Sequence, residues 1–270
     1  MPSKPNVFQR GPVVKIQPRH SPESQAIYDR MAFLVGVIAF GLPLILLFGG
    51  TLGGSCFRDS ISHFYYAPFL GAIFVGLLFF IGGFLIAYSG DHWIESTLSS
   101  VAGLWAIGVA LFPTSGSGCE GSAPYLSRIF VQVTNPSEVN TALQLSEATT
   151  QGQGHFALFG TASDLHMLAA GLLFIYLGIY CLVVLRRIIP QRHYDENGLL
   201  KSKGNRNTLY TWCGLTILLC VAILGLRRPL GVNDVWWNSW NLTFWFELAA
   251  LWAFGLAWVT KGRFFSRLND

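Results

Sequence analysis

Long apolar runs separated by short polar stretches set the pattern of this chain, and none of the runs alternates apolar and polar residues as a barrel strand does. The runs fall at Met31 to Gly50, Pro68 to Tyr88, Leu98 to Phe112, Leu165 to Leu185, Leu209 to Leu226 and Leu242 to Thr260. Crossing about 30 Å of hydrocarbon at 1.5 Å per helical residue takes roughly 20 residues. Each run is therefore predicted as a membrane-spanning helix, because lipid offers no partner to an open sheet edge. The third is the shortest and begins among serines. The expected fold is an all-α integral membrane protein, a six-transmembrane-helix bundle with an extracytoplasmic cap segment. Its predicted parts are a cytoplasmic N-terminal arm (1–30), a six-span membrane domain (31–262) that includes the cap (113–164), and a cytoplasmic tail (263–270).

Composition supports that picture: 52% of residues are hydrophobic and only 12% charged, against roughly 25% charged in a typical soluble domain. A polar stretch precedes the first apolar run and no small-residue cleavage site follows a short one, so the first run is expected to remain as a span. The basic residues then orient the bundle, since cytoplasmic flanks collect them. Lys4, Arg10, Lys15, Arg19 and Arg30 precede the first run, and Arg186, Arg187, Arg192, Lys201, Lys203 and Arg206 join the fourth to the fifth. Lys261, Arg263 and Arg267 follow the sixth. With six spans all of these share one side, which places both termini of this multi-pass membrane protein in the cytoplasm. The net charge of +4 thus reads as a topology signal with contacts to anionic lipid, and not as a nucleic-acid footprint.

That orientation leaves Cys56 and Cys119 outside, where disulfides persist, so a bridge between them is expected, two free thiols being the alternative. Cys181, Cys213 and Cys220 lie inside spans and read as small packing residues. Residues 113–164 form the only large external segment. Within it "SRIFVQV" alternates like a strand and "TNPSEVNTALQLSEA" is spaced like a short helix with Thr134 as its cap. The flanking "TSGSG" and "QGQG" read as flexible connectors of a cap over the bundle's external end, a disordered loop being the alternative. Ala102, Ala106 and Ala110, and likewise Ala249, Ala253 and Ala257, recur at intervals of four. Such seams let helix backbones approach closely in lipid.

One ionisable residue interrupts the last run: Glu247, in "NLTFWFELAALWAFGLAWVTKG". At 1.5 Å per residue it lies roughly 9 Å in from the external end. An unpaired carboxylate there costs at least about 2–3 kcal/mol, so it should face the bundle interior, be paired or stay protonated. At the same depth "DSISHFYYAP" brings Ser60, Ser62, His63, Tyr65 and Tyr66, "SDLHMLAAG" brings Asp164 and His166, and Thr114, Ser115, Arg227 and Arg228 end other spans. Asp91 and His92 lie a full span away. His166 and Glu247 are the candidate catalytic pair, with Ser60, Ser62, His63, Tyr66, Arg227 and Arg228 as candidate substrate-binding residues. Simpler roles compete: Tyr65 and Tyr66 as an interfacial aromatic belt, and the two arginines as headgroup contacts. Two histidines and a glutamate also match a zinc ligand set, but without a recognised local spacing. A serine or histidine working with the carboxylate would suit acyl transfer or hydrolysis, although no G-x-S-x-G occurs.

The stretches "SISHFYYAPFLGAIFVGLLFFIGGFLIAYSG", "AGLWAIGVALFPTSG", "LHMLAAGLLF" and "FWFELAALWAFGLAWVTKG" resemble a bacterial family of six-span membrane proteins of unknown function, and more distantly are similar to the Frag, DRAM and Sfk group. The matching points are Cys56, Ser60, Ser62, His166 and Glu247. The chain departs from the pattern at "PFLGAIF", where a charged residue would be expected. The resemblance covers nearly all six spans but not the N-terminal arm or most of the large external loop, and it implies a place in the bacterial inner membrane and work on lipids without specifying a reaction. The expected role is binding or modifying a membrane lipid or lipid-like molecule in a polar pocket of the outer leaflet. A non-catalytic scaffold with a buried structural His/Glu pair, or a small transporter, is the alternative.

Overall fold

A computed structural model describes residues 6–13, 22–53, 57–67, 69–88, 93–114, 130–131, 155–156, 162–189, 193 and 202–265. Apart from one two-residue strand pairing, the described chain is helical. In chain order the helices are α1 (Pro22–Leu52), a 3₁₀ turn (Ile61–Tyr66), α2 (Leu70–Ala87), α3 (Trp93–Leu111), α4 (Ala162–Ile179), α5 (Lys203–Leu226), the short α6 (Asp234–Ser239) and α7 (Leu242–Lys261). A π turn, Tyr180–Val184, continues α4. Five helical stretches are long and apolar enough to cross a membrane: Glu23–Leu52, Leu70–Ala87, Ala162–Val184, Lys203–Leu226 and Leu242–Lys261. Glu95–Leu111, within α3, is shorter.

Four of the long helices, α1, α3, α4 and α5, start earlier than their apolar runs predict. α1 begins at Pro22, where proline's missing N–H costs nothing, with Glu23 in the first turn where the helix dipole favours an anion. The predicted N-terminal arm therefore already contains helix. α3 begins at Trp93 with Glu95 in its first turn, and α5 begins at Lys203, six positions before the apolar run that announces it. Residues 9–13 lie along the end of α4 and the start of α5. Ile188 N–H donates to the Pro12 carbonyl at 2.8 Å, Arg186 donates to the Arg10 carbonyl at 2.6 Å, and Asn207 Nδ2 donates to the Gln9 carbonyl at 3.0 Å.

The six long helices pack as a closed ring: α1 on α2, α2 on α3, α3 on α4, α4 on α5, α5 on α7 and α7 back on α1. Every member contributes to one apolar core, among them Val35, Leu85, Ala106, Leu177, Ile217 and Phe254. Outward-facing Leu34, Leu104, Ile175, Leu219 and Trp252 remain exposed around the circumference. A soluble monomer does not leave so much apolar surface bare, whereas a membrane protein presents it to lipid. Exposed aromatics gather at both ends of the ring, Trp236, Trp240 and Trp245 at one and Trp93, Trp212 and Phe264 at the other, as in interfacial belts.

The small-residue seams are only partly those read from the sequence. Ala102, Ala106 and Ala110 are buried, but of the three seam alanines of α7 only Ala257 is, with Ala249 and Ala253 half-buried. The close approach of α7 to α1 runs instead through glycine. A Cβ on Gly36 would sit 2.8 Å from the Gly255 carbonyl oxygen, and one on Gly255 would sit 3.0 Å from the Gly36 carbonyl oxygen. Backbone-to-backbone contact of this kind admits no side chain.

In residues 113–164, Phe130↔Phe156 and Val131↔His155 pair antiparallel, the first pair partner lying in the stretch predicted as a strand. The predicted short helix at Thr134 and the expected Cys56–Cys119 bridge lie outside the described residues. Cys181, Cys213 and Cys220 are buried free thiols.

Candidate functional site

The 3₁₀ turn is the hub of one end of the ring. Its cap, Ser60, is extended (φ −147°, ψ 146°) and its Oγ accepts the Ser62 N–H, the arrangement that makes serine a good helix start. The Phe244 N–H, in the first turn of α7, donates to the Asp59 carbonyl at 2.9 Å, which ties the turn to α7. Glu247 lies one helical turn further along α7. Its Oε2 accepts the Ile61 N–H at 2.6 Å, and Ser60 Oγ lies 3.0 Å from each carboxylate oxygen. The carboxylate is thus answered by the N-terminal edge of the turn, where orphan donors and the helix dipole favour a negative charge.

His166, in the first two turns of α4, reaches the same turn from the other side. Its Nε2 lies 2.9 Å from Ser62 Oγ and its Nδ1 lies 2.7 Å from the carbonyl oxygen of Phe112, at the end of α3. A carbonyl only accepts, so Nδ1 carries the proton and Nε2 accepts from the Ser62 hydroxyl. The imidazole is 1% exposed, while Ser62 is half-buried. His166 and Glu247 make no hydrogen bond to each other; they are joined through Ser62 and Ser60, two residues apart.

The remaining predicted residues divide between this hub and its surroundings. His63 is buried and its Nδ1 lies 2.5 Å from Asp59 Oδ1. Tyr66 is 7% exposed and donates to the Thr114 carbonyl at 2.7 Å, so it closes the turn onto the end of α3 and is not a belt residue. Tyr65 packs edge-on against it with ring centres 5.3 Å apart, and burial pushes its phenol above the ordinary range, keeping it neutral. Arg227 belongs elsewhere. It pairs with Asp234 at 3.0 Å, reaches Thr243 at 3.4 Å and lies over the Trp237 ring at 5.1 Å, which clamps α6 to α7. Arg228 and Asp164 are exposed, and Ser115, Asp91 and His92 lie outside the described residues. Among the described residues no three His, Cys, Asp or Glu side chains converge as a metal-ligand set.

Two features of this end were given no place in the candidate site by the sequence. Arg58 is 2% exposed, with its guanidinium over the Phe64 ring at 5.5 Å. Phe69, which passes the turn into α2, has φ 62° and ψ −50°, a region that bulky residues adopt at a cost of order 1–3 kcal/mol and that concentrates at functional sites.

A second buried polar cluster occupies the opposite end of the ring. Glu95 is 5% exposed and accepts from Arg187 at 2.7 Å and from the Tyr180 hydroxyl at 3.1 Å. Lys261 donates to the Tyr88 and Tyr180 hydroxyls at 2.6 and 2.9 Å and lies 4.3 Å from the Tyr88 ring centre. The cluster gathers the ends of α2, α4 and α7 and the start of α3. Tyr180 opens the π turn, whose widened backbone is a common way to re-aim a side chain. The charges could be counted in the sequence, but Tyr88 and Tyr180 looked like ordinary members of apolar runs.

Comparison of the chain with protein families, with curated proteins and with solved structures finds no match.

Proposed function

We propose that the protein is a six-span inner-membrane protein that binds or modifies a lipid or lipid-like molecule at the turn Ser60–Tyr66, in the outer leaflet. One observation carries the reading: a carboxylate and an imidazole from two separate apolar helices converge on the same short polar turn at one end of the ring. Intramembrane ionisable groups are costly and are retained where they serve a site. α3 is counted as the third span because it fills the ring between α2 and α4 and leaves Leu98, Val101, Leu104 and Leu111 exposed along its length. Arg10, Arg186, Arg187, Lys203, Arg206 and Lys261 lie at the Glu95 end, which supports placing that end and both termini in the cytoplasm. The turn then faces outward, under the segment 113–164.

The test uses the full-length protein in vesicles of phosphatidylethanolamine and phosphatidylglycerol doped with a phospholipid that carries a diazirine near its headgroup. After irradiation, cross-links concentrated on residues 57–67 and the first turns of α4 and α7 are expected. Cross-links spread evenly over Leu104, Ile175 and Leu219 would mean annular lipid only and would defeat the reading.

A scaffold reading has its own observation, since both nitrogens of His166 and both oxygens of Glu247 are already hydrogen-bonded. It requires that His166→Ala and Glu247→Gln both lose folded protein. The lipid-site reading requires that both still purify as folded chains.

A further inference from the structure

The geometry points to a nucleophile and base pair: we propose that Ser62 and His166 form a dyad that cleaves or transfers the acyl group of an amphiphilic carboxylic ester. The inference rests on the lipid-site reading above and names its chemistry. Three observations carry it. Ser62 Oγ and His166 Nε2 are 2.9 Å apart, within the range expected of a nucleophile and its general base. The Phe112 carbonyl, 2.7 Å from Nδ1, fixes the tautomer that leaves Nε2 free to take a proton. His166 is buried while Ser62 is only half-buried, so the serine is the member of the pair that a substrate meets first.

The reaction follows from those atoms. Ser62 Oγ attacks the ester carbonyl carbon as its proton passes to His166 Nε2, and the carbonyl electron pair moves onto oxygen. Collapse of this tetrahedral species breaks the bond to the alcohol oxygen, which takes the proton back from Nε2 and leaves. The acyl group remains on Oγ. Water, or the hydroxyl of a second amphiphile, then attacks the same carbon with its proton going to Nε2, and the proton returns to Oγ as the acyl group departs. Ester and acceptor are consumed, alcohol and new acyl product are formed, and the dyad is unchanged.

Glu247 is a positioning residue here. It touches neither Oγ of Ser62 nor the imidazole, but holds Ser60 and the Ile61 N–H, and Ser60 in turn holds the Ser62 N–H at 3.1 Å. Glutamine at 247 keeps an acceptor for Ile61 and a polar partner for Ser60, whereas alanine removes both.

A fluorophosphonate probe, which phosphonylates an activated serine oxygen with loss of fluoride, tests the dyad on the full-length protein in membranes. Labelling mapped by mass spectrometry to Ser62 is expected, absent in Ser62→Ala and at least about 100-fold slower in His166→Gln, the usual scale of a lost general base. Glu247→Ala should slow labelling and Glu247→Gln restore most of it. Gel filtration shows which variants are folded, and if His166→Gln is not, Ser62→Ala decides. Labelling of folded protein that maps elsewhere, or none at all, overturns the dyad. In that event diazirine cross-links retained at residues 57–67 leave the lipid site standing, while their loss removes both.

Discussion

Glu247 shows how much a single residue can announce and how much it withholds. Its position inside an apolar run is legible because a carboxylate there must be compensated, and the same reasoning picks out His166. The identity of the compensating groups is not legible, because they are the Ile61 N–H and the Ser60 hydroxyl, and neither pairing leaves a local sequence signature. Removing the acceptor strands donors that are shielded from water, at a cost of about 1–3 kcal/mol. Glu247→Ala should therefore lower the thermal midpoint in detergent by several degrees while Glu247→Gln stays close to the parent chain. Equal losses in both would show that the negative charge itself, and not the acceptor geometry, holds the turn.

Glu95 makes the complementary case. It begins a helix among serines and reads as an ordinary first-turn acid, yet it is buried against Arg187 and Tyr180. Breaking one side of a buried ion pair typically costs about 3–5 kcal/mol because the partner charge is left uncompensated. Glu95→Ala is expected to abolish or sharply reduce folded protein, with Arg187→Met milder because the arginine is more exposed than its partner. A Glu95→Ala chain that folds normally would remove the cluster from any structural role.

At the level of elements, apolar length located all six long helices, and the last starts at Leu242 as expected. Their polar beginnings escaped notice for a physical reason: α1, α3 and α5 start in residues that hydropathy counts as loop but that cap, pair or snorkel at the membrane boundary. The packing seam of α7 was misplaced for another. Alanine periodicity marks a small face, but the closest approach is set where two backbones touch, and that depends on which helix stands opposite. The Gly36 and Gly255 pair predicts that Gly255→Leu separates α1 from α7 and lowers yield and thermal stability, with a Gly36→Leu chain behaving alike. The exposed Leu219 position, changed to alanine, should leave both measures nearly unaltered. Similar losses at all three positions would show that the crossing is not specially close.

For the whole molecule, the closed ring is what turns scattered letters into sites. Consecutive helices run up and down, so the 3₁₀ turn before α2, the start of α4 and the start of α7 meet at one end of the ring, and the opposite ends of α2, α4 and α7 meet the start of α3 at the other. The number of spans limits which residues can share an end, and that much follows from apolar runs and basic loops. Which residues then touch is decided by rotation of each helix about its axis, and single-chain periodicity constrains it weakly when a helix is apolar all round. This is why Ser60, Ser62, His166 and Glu247 could be grouped in advance while Arg227 was grouped with them and belongs instead to the α6 clamp.

The central claim is that the Ser60–Tyr66 turn sits at a mouth open to the outside of the cell. A Ser62→Cys chain treated in intact cells with a membrane-impermeant maleimide, with the unsubstituted chain as background, tests it directly. Modification at position 62 from outside, before the membrane is permeabilised, is the predicted result. Modification that appears only after permeabilisation, or never appears even in detergent, would contradict it.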